Sequence, residues 1–179
     1  MKKVFMILAL AVSTLTASAQ FYVGGNLGVA STKIAGGDNE TTYKVLPEVG
    51  YNFNDNWAIG TVIGWGKGTP VSIEDATQAV RTFEVAPYAR FTFVKNDIVN
   101  VFVDGGFMYR HYNGSANQWN IGLKPGIAVH LGKSFDLVAR AGFLGYKTVK
   151  GTEDGAKANN AWGVDLDAND ISFGLYFNF

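Results

Sequence analysis

Six charged residues in this chain are placed so that they could form ion pairs inside a small protein: Glu48, Glu84, Arg90, Asp104, Lys124 and Arg140. Each lies in a segment where apolar and small or polar residues alternate, on the face that also carries glycines. Charges in a confined interior must be paired or hydrated, because an isolated buried charge is strongly destabilising. The pattern therefore predicts a polar network that fills an interior, in which Asp104 pairs with Arg90 and Lys124 of neighbouring strands.

Residues suited to catalysis are sparse. The two histidines, His111 and His130, fall near opposite ends of neighbouring strands, about 20–30 Å apart at ~3.3 Å per residue, so they cannot act at one site. His111, Ser115 and a loop aspartate such as Asp38 or Asp154 could meet near one rim, but no local motif supports that site. We predict no catalytic residue and no enzymatic activity.

The acidic run at 165–170 (DLDAND) resembles a metal-binding loop in composition only. It lacks the glycine and the distant glutamate of an EF-hand, and its acids are better explained as the inward face of a long last strand. The glycine cluster at 24–28 precedes no helix, so it does not predict a nucleotide site. No metal and no cofactor is predicted.

Eight β-strands would position these side chains. Alternation of apolar and polar residues places them near 21–30, 43–53, 57–66, 81–94, 98–110, 119–131, 135–147 and 163–179. Tight turns at 54–56, 95–97 and 132–134 alternate with longer polar connections at 31–42, 67–80, 111–118 and 148–162. Short turns at one rim, long loops at the other and an even strand number predict an all-β fold, an eight-stranded antiparallel up-and-down transmembrane barrel.

The outward faces of these strands are apolar and carry no charge. On the seventh strand this face is predicted to run from Phe135 to Phe143, and aromatic residues at the strand ends would form the two girdles typical of bilayer interfaces. On the last strand, Phe173, Leu175, Phe177 and Phe179 share one face, for which lipid is the better solvent. Eight strands leave an interior just wide enough for side chains, which favours a closed polar plug over an ion pathway.

Three prolines occupy equivalent positions in descending strands, at Pro47, Pro87 and Pro125. Because proline cannot donate to a sheet ladder, it usually marks an edge or a bulge. The repetition predicts a bulge that recurs around the wall.

Residues 1–19 are typical of a secretory signal peptide. Two lysines precede an apolar stretch, and Ala17 and Ala19 form a small-residue cleavage site that leaves Gln20 as the new N-terminus. The chain is thus divided into a signal peptide, 1–19, and one barrel domain, 20–179.

Composition excludes several classes of protein. Acidic and basic residues are nearly balanced, which gives no argument for nucleic-acid binding. The absence of cysteine excludes disulfides, and no apolar run of about 18 residues follows the leader, which excludes a helical membrane protein.

The leader, the eight strands and the closing sequence from Gly174 to Phe179 (GLYFNF) resemble the small outer-membrane barrel proteins of Gram-negative bacteria, the OmpX, OmpA-barrel and Opa-like proteins and the generic outer membrane beta-barrel domain proteins. The resemblance covers essentially all of 20–179. It implies that the alternating last strand with its terminal Phe179 is the assembly signal. It carries no shared functional motif.

This resemblance implies a location in the bacterial outer membrane, and as partners the membrane lipid, lipopolysaccharide, the barrel-assembly machinery, periplasmic chaperones and an extracellular partner that contacts the loops. The leading hypothesis is a non-enzymatic surface or structural protein with a plugged lumen. The alternative is a narrow channel, or a lateral route, for small molecules, apolar ones included. A soluble periplasmic ligand-binding barrel is a third hypothesis.

Overall fold

The computed structural model describes residues 20–33, 36, 39–72, 79–153, 155–166 and 171–179. The predicted cleavage residues Ala17 and Ala19 lie outside this range, whereas Gln20 lies within it. The described residues contain no helix with the length and apolar character needed to cross a bilayer. They form ten strand segments: β1 Phe21–Lys33, β2 Asn39–Asn52, β3 Trp57–Lys67, β4 Arg81–Lys95, β5 Val99–Tyr112, β6 Ala116–His130, β7 Phe135–Arg140, β8 Phe143–Gly151, β9 Ala158–Asp165 and β10 Ser172–Asn178.

The ten segments build an eight-stranded wall. Strands β1 to β6 pair antiparallel in chain order, and β7 and β8 pair end to end along β6 as two parts of the seventh strand. Segments β9 and β10 pair with β8 and β7 and are two parts of the eighth strand. Pairing from Tyr22 with Asn178 to Gly25 with Leu175 closes the ring, so the predicted eight-stranded antiparallel barrel is confirmed.

The seventh strand is not continuous, contrary to the predicted range 135–147. It stops at Arg140 and resumes at Phe143, and Gly142 between them has φ 71°, a left-handed conformation that glycine adopts without steric cost. This interruption reverses the alternation, so that Phe143 is buried inside the barrel and Leu144 faces outward. The prediction that Phe143 faces lipid is wrong, because a strand periodicity cannot be carried across a break.

The eighth strand is also interrupted. It ends at Asp165 and resumes at Ser172, where a single strand over 163–179 was predicted. Asp165 lines the interior cavity. Residues 167–170, which include most of the acidic run, lie outside the described residues.

The prolines do not mark a recurring bulge. Pairing keeps the same register on both sides of Pro47 and Pro87, with only a local gap in the ladder toward one neighbour. Only beside Pro125 does the register shift by one residue, toward the seventh strand, where that strand is interrupted between Arg140 and Phe143. A proline removes one N–H, which points toward one neighbouring strand, and this loss does not require an extra residue. In β4 the register shifts elsewhere, between Thr92 and Val94.

Connections at the two rims differ less in length than predicted. The short turns are held by asparagine: Asn54 Oδ1 accepts from the backbone N–H groups of Asn56 and Trp57 at 2.9 and 3.0 Å, and Asn96 forms the equivalent contacts in the next turn. At the other rim the strands extend further than predicted, which reduces the connections to 34–38, 68–80, 113–115 and 152–157. The long loop predicted at 111–118 is wrong, because Tyr112 pairs directly with Ala116 across a tight turn.

The outer surface of the barrel is apolar. Its interior is polar in the half near the loops and mainly aromatic and apolar in the half near the short turns. Large apolar side chains such as Ile59, Ile121 and Phe173 remain exposed on the outer wall. The buried apolar core lies in the short-turn half of the interior and consists of Tyr22, Ala58, Phe102, Ala128, Val138 and Tyr176. A wall whose large apolar groups point outward is suited to lipid rather than to water.

The connection at 68–80 contains a strained turn that yields a first prediction. Ser72 N–H donates to Thr69 O at 3.2 Å, and Val71 between them has φ 67°. A β-branched side chain is disfavoured at positive φ, so we expect Val71→Gly to raise the free energy of unfolding by roughly 0.5–1 kcal/mol. Urea unfolding in phospholipid vesicles, followed by tryptophan fluorescence, measures this change. Val164→Gly, in a regular strand, is the control and should destabilise the barrel; a loss of stability for Val71→Gly would contradict the strain.

Candidate functional site

Four charged side chains meet at the middle of the barrel and form what we call the ionic layer: Glu48 of β2, Arg90 of β4, Asp104 of β5 and Arg140 at the end of β7. Each points inward because it falls on the same face of its strand as the interior glycines. Cα pairing sets Arg90 directly opposite Asp104. The layer therefore follows from strand alternation together with register.

Within the ionic layer the carboxylates and guanidinium groups alternate. Asp104 accepts from Arg90 Nε at 2.7 Å and Nη2 at 2.9 Å, and from Arg140 Nε at 2.7 Å. Arg140 also donates to Glu48 at 2.7 Å and 3.3 Å, while Arg90 Nη2 is 4.0 Å from the same carboxylate. The two acids and two bases cancel in charge. Their contacts satisfy the buried Glu48, Arg90 and Asp104 and the mostly buried Arg140.

Aromatic side chains pack against the ionic layer, and most of them lie toward the short turns. The Arg90 guanidinium lies 3.8 Å from the centroid of the Phe102 ring, and the hydroxyl of Tyr88 donates to Glu48. Tyr88 and Tyr22 share a hydrogen bond of 2.6 Å between their hydroxyls. Tyr22 stacks in turn on Tyr176, with the ring centroids 5.4 Å apart. The ionic layer and the rings toward the short turns form two successive levels of the barrel interior.

Of the six predicted network residues, the structure brings four together and leaves two apart. Glu84 lies nearer the loop rim and pairs with Arg110, whose Nε donates to it at 2.7 Å. Lys124 is the Cα partner of Asp104, but Arg90 and Arg140 occupy that carboxylate. The pairing of Asp104 with Lys124 is therefore not observed, because Arg140 reaches it from a strand that is not its neighbour.

Several residues of this site were missed by the sequence reasoning. Arg110 was not assigned to the interior, although it falls on the same alternating face of β5 as Asp104. Strand alternation could have found it, because the predicted strand over 98–110 already includes this residue on the face of Asp104. Alternation places Phe102 on the same face of β5 as Asp104, but its contact with Arg90, like that of Tyr22 with Tyr88, depends on register and side-chain packing.

The two histidines lie in separate hydrogen-bonded environments. His130 Nδ1 lies 2.6 Å from Asp136 Oδ1, and Asn178 donates to the same carboxylate at 2.9 Å, near the short-turn rim. His111 Nδ1 lies 2.7 Å from Asn117 Oδ1 near the other rim. Among the described residues, no group of three or more His, Cys, Asp or Glu is arranged to hold a metal.

A cavity of about 430 Å³ lies between the ionic layer and the loop rim. The ionic layer contributes Glu48, Asp104 and Arg140 to its wall, while Lys124 and Lys147 line it further up. A second cavity of about 270 Å³ lies beside it, under the start of the 68–80 connection. Among the described residues, the interior is thus packed at the short-turn end and contains cavities toward the loop rim.

One part of the wall lacks backbone pairing. Strand β1 pairs with β10 only as far as Gly25, and no described residue of β1 beyond it pairs with β9. Apolar side chains flank this seam on both sides, with Leu27 78% and Trp162 87% exposed. We call the gap between 26–33 and 158–165 the lateral seam. The cavity reaches it, because Asn26 and Asp165 line both features.

Comparison with known proteins gives one match to a protein family and several to solved structures. Residues 4–179 match the family described as Outer membrane protein beta-barrel domain. Neisserial surface protein A is 15% identical with a TM-score of 0.53, covering 90% of this chain and 98% of that one. OprG from Pseudomonas aeruginosa is 11% identical, with a TM-score of 0.48 over 89% of this chain and 96% of its own. Ail from Yersinia pestis is 13% identical, with a TM-score of 0.46 over 90% of this chain and all of its own.

No curated protein sequence matches the chain. The structural likeness to Neisserial surface protein A, at this level of identity, shows the fold.

Proposed function

Because the chain belongs to the outer membrane protein beta-barrel domain family, we propose that it is a non-enzymatic integral barrel of the bacterial outer membrane with a closed lumen. The observation that carries this proposal is the ionic layer, whose four charges cancel across the full interior. A neutral, hydrogen-bonded layer next to packed rings supports a lumen without a continuous aqueous path. The protein then acts through its surface and its loops.

The outer wall and the loop rim of such a barrel determine which molecules it contacts. The apolar outer wall contacts lipid, with lipopolysaccharide at the loop rim, and the loops are available to an extracellular partner. Export requires removal of residues 1–19, after which Gln20 begins the mature chain. The terminal face of Phe173, Leu175, Phe177 and Phe179 is the proposed signal for the barrel-assembly machinery.

A second candidate function is the passage of small molecules from the cavity into the membrane. The lateral seam favours it, because the cavity above the ionic layer extends to an unpaired stretch of wall flanked by exposed Leu27 and Trp162. A route of this kind would bypass the ionic layer instead of crossing it. It therefore needs no conductance through the barrel.

Planar-bilayer recording tests whether the lumen is closed. We expect the folded wild-type protein to show no channel events, since both filled levels block the lumen. The double variant Phe102→Ala/Asp104→Ala removes material from both levels and leaves Arg90 and Arg140 facing each other, so we expect discrete openings of at least tenfold higher frequency.

Arg81→Ala is the matched control for this recording, because it removes a charge from the exposed start of β4 and should remain silent. Each variant is first checked for a heat-dependent shift in gel mobility, which establishes that the barrel is folded. Wild-type openings as frequent as those of the double variant would contradict the closed lumen and favour the channel.

A further inference from the structure

We propose that the cavity above the ionic layer binds an anionic group, a phosphate or a carboxylate, between Lys124 and Lys147. The site lies above the closed level of the lumen and takes no part in closing it. The inference therefore goes beyond the proposed function, and it stands whether or not the lumen conducts.

The charges that line this cavity do not balance among the described residues. Glu84 is engaged by Arg110, and the two acids of the ionic layer are engaged by Arg90 and Arg140. Lys44 and Asp165 also line the cavity, and each has an interaction of its own. Two lysines remain, Lys124 and Lys147, and neither has an ion pair with a carboxylate of the described residues.

Lys147 is held in place by an aromatic ring. Its ammonium lies 4.7 Å from the centroid of Phe143, a cation–π contact that leaves N–H donors directed elsewhere. Phe143 in turn lies flat against the wall, because Gly122 and Gly145 have no side chains: a Cβ on either would come within 2.8 Å of the ring. The reversed alternation after Gly142 is what turns this ring inward and leaves Lys147 facing the cavity.

Lys124 and a neighbouring amide complete the donor set. Lys124 projects from β6 into the cavity and is accessible to solvent there. Four residues away on the same face, buried Asn120 accepts from Gln118 Nε2 at 2.9 Å through its Oδ1, so its Nδ2 remains a donor. Lys147 is the Cα partner of Asn120, and flexible lysine stems allow both ammonium groups to reach one anion.

Two positive charges on the wall of one partly enclosed cavity attract a counterion more strongly than isolated surface lysines do, because the low-dielectric walls focus their field. The ligand is accordingly an anionic group small enough for about 430 Å³. It can come from a soluble anion that enters by the loop rim, or from an amphiphile whose chain leaves through the lateral seam. Both sources offer the same head-group chemistry to the lysines.

The test uses the folded full-length mature protein in an uncharged maltoside detergent, with its lysines dimethylated by a ¹³C-labelled reagent that preserves charge. Inorganic phosphate and dodecyl phosphate are titrated separately, and the dimethyl-lysine signals are followed by NMR. We expect the signals of Lys124 and Lys147 to shift with a common saturable affinity. Calorimetry of Lys124→Met and Lys147→Met should show binding at least tenfold weaker than in the wild type.

Lys150→Met is the matched control, because it removes the same charge from an exposed position of β8 outside the cavity lining. It should bind within twofold of the wild type. Binding of inorganic phosphate would identify a soluble anion as sufficient, and binding of dodecyl phosphate alone would identify an amphiphile; each supports the site. The proposal is overturned if neither probe shifts the two signals, or if all three lysine variants bind equally well.

Discussion

Replacing Arg140 by alanine is expected to lower the free energy of unfolding by about 3–5 kcal/mol, because it leaves two buried carboxylates with a single guanidinium. Arg140 is the only described residue that bridges Asp104 and Glu48 with short contacts to both. Without it, Glu48 keeps Tyr88 and the more distant Arg90. Urea unfolding in phospholipid vesicles, followed by tryptophan fluorescence, measures the loss.

A charge-balanced double variant distinguishes ion pairing from loss of packing. Arg140→Met/Glu48→Gln removes one acid and one base and keeps the pair between Arg90 and Asp104. We expect its destabilisation to be about 2 kcal/mol smaller than the sum of the two single changes. Arg81→Ala, at an exposed position, should change stability by no more than about 0.5 kcal/mol. Strict additivity of the two single changes would contradict the coupled layer.

Substitution of Gly50 by valine is expected to destabilise the barrel by about 2–3 kcal/mol through overpacking. A Cβ at Gly50 would overlap the ring of Tyr22. That ring cannot move aside easily, since it is 3% exposed, stacked on Tyr176 and hydrogen-bonded to Tyr88. The midpoint of urea unfolding and the temperature of the gel-mobility shift should both fall.

Gly163→Val provides the matched control for this substitution. No atom outside its chain neighbours lies within 4 Å of a Cβ at Gly163, so the same change should leave stability unaltered or slightly higher. A second change, Tyr22→Leu, should recover part of the stability lost in Gly50→Val by making room for the new side chain. If Gly50→Val were as stable as Gly163→Val, the close packing of Tyr22 against the wall would be wrong.

The number of strands and the separation of two faces could be read from alternation alone. The first six strands begin and end within a few residues of the predicted ranges, and Ile59, Ile121 and Phe173 face outward as expected. This works because a strand has a period of two and because one face of a membrane barrel must be apolar throughout. The positions of the short turns could also be predicted, because asparagine side chains such as those of Asn54 and Asn96 form local hydrogen bonds that stabilise turns.

Alternation failed where the strand itself was interrupted. The alternation predicted for the seventh strand runs through Gly142, whose left-handed conformation shifts Phe143 from the predicted outer surface into the lumen. A single sequence does not reveal whether a glycine makes room for a neighbouring side chain or interrupts the strand. The predicted loops were too long, since residues 31–33 and 116–118, which are mostly polar, continue strands β1 and β6.

The sequence by itself determined the class of the protein, the pattern of its two faces and the list of charges that must share one interior. Only the tertiary structure decided which charges meet. Asp104 pairs with Arg140, which is not on a neighbouring strand, and Lys124, the Cα partner of Asp104, lines the cavity instead. The physical reason is that alternation is a property of one strand, whereas pairing across a closed barrel depends on register, on side-chain length and on the space left by glycines.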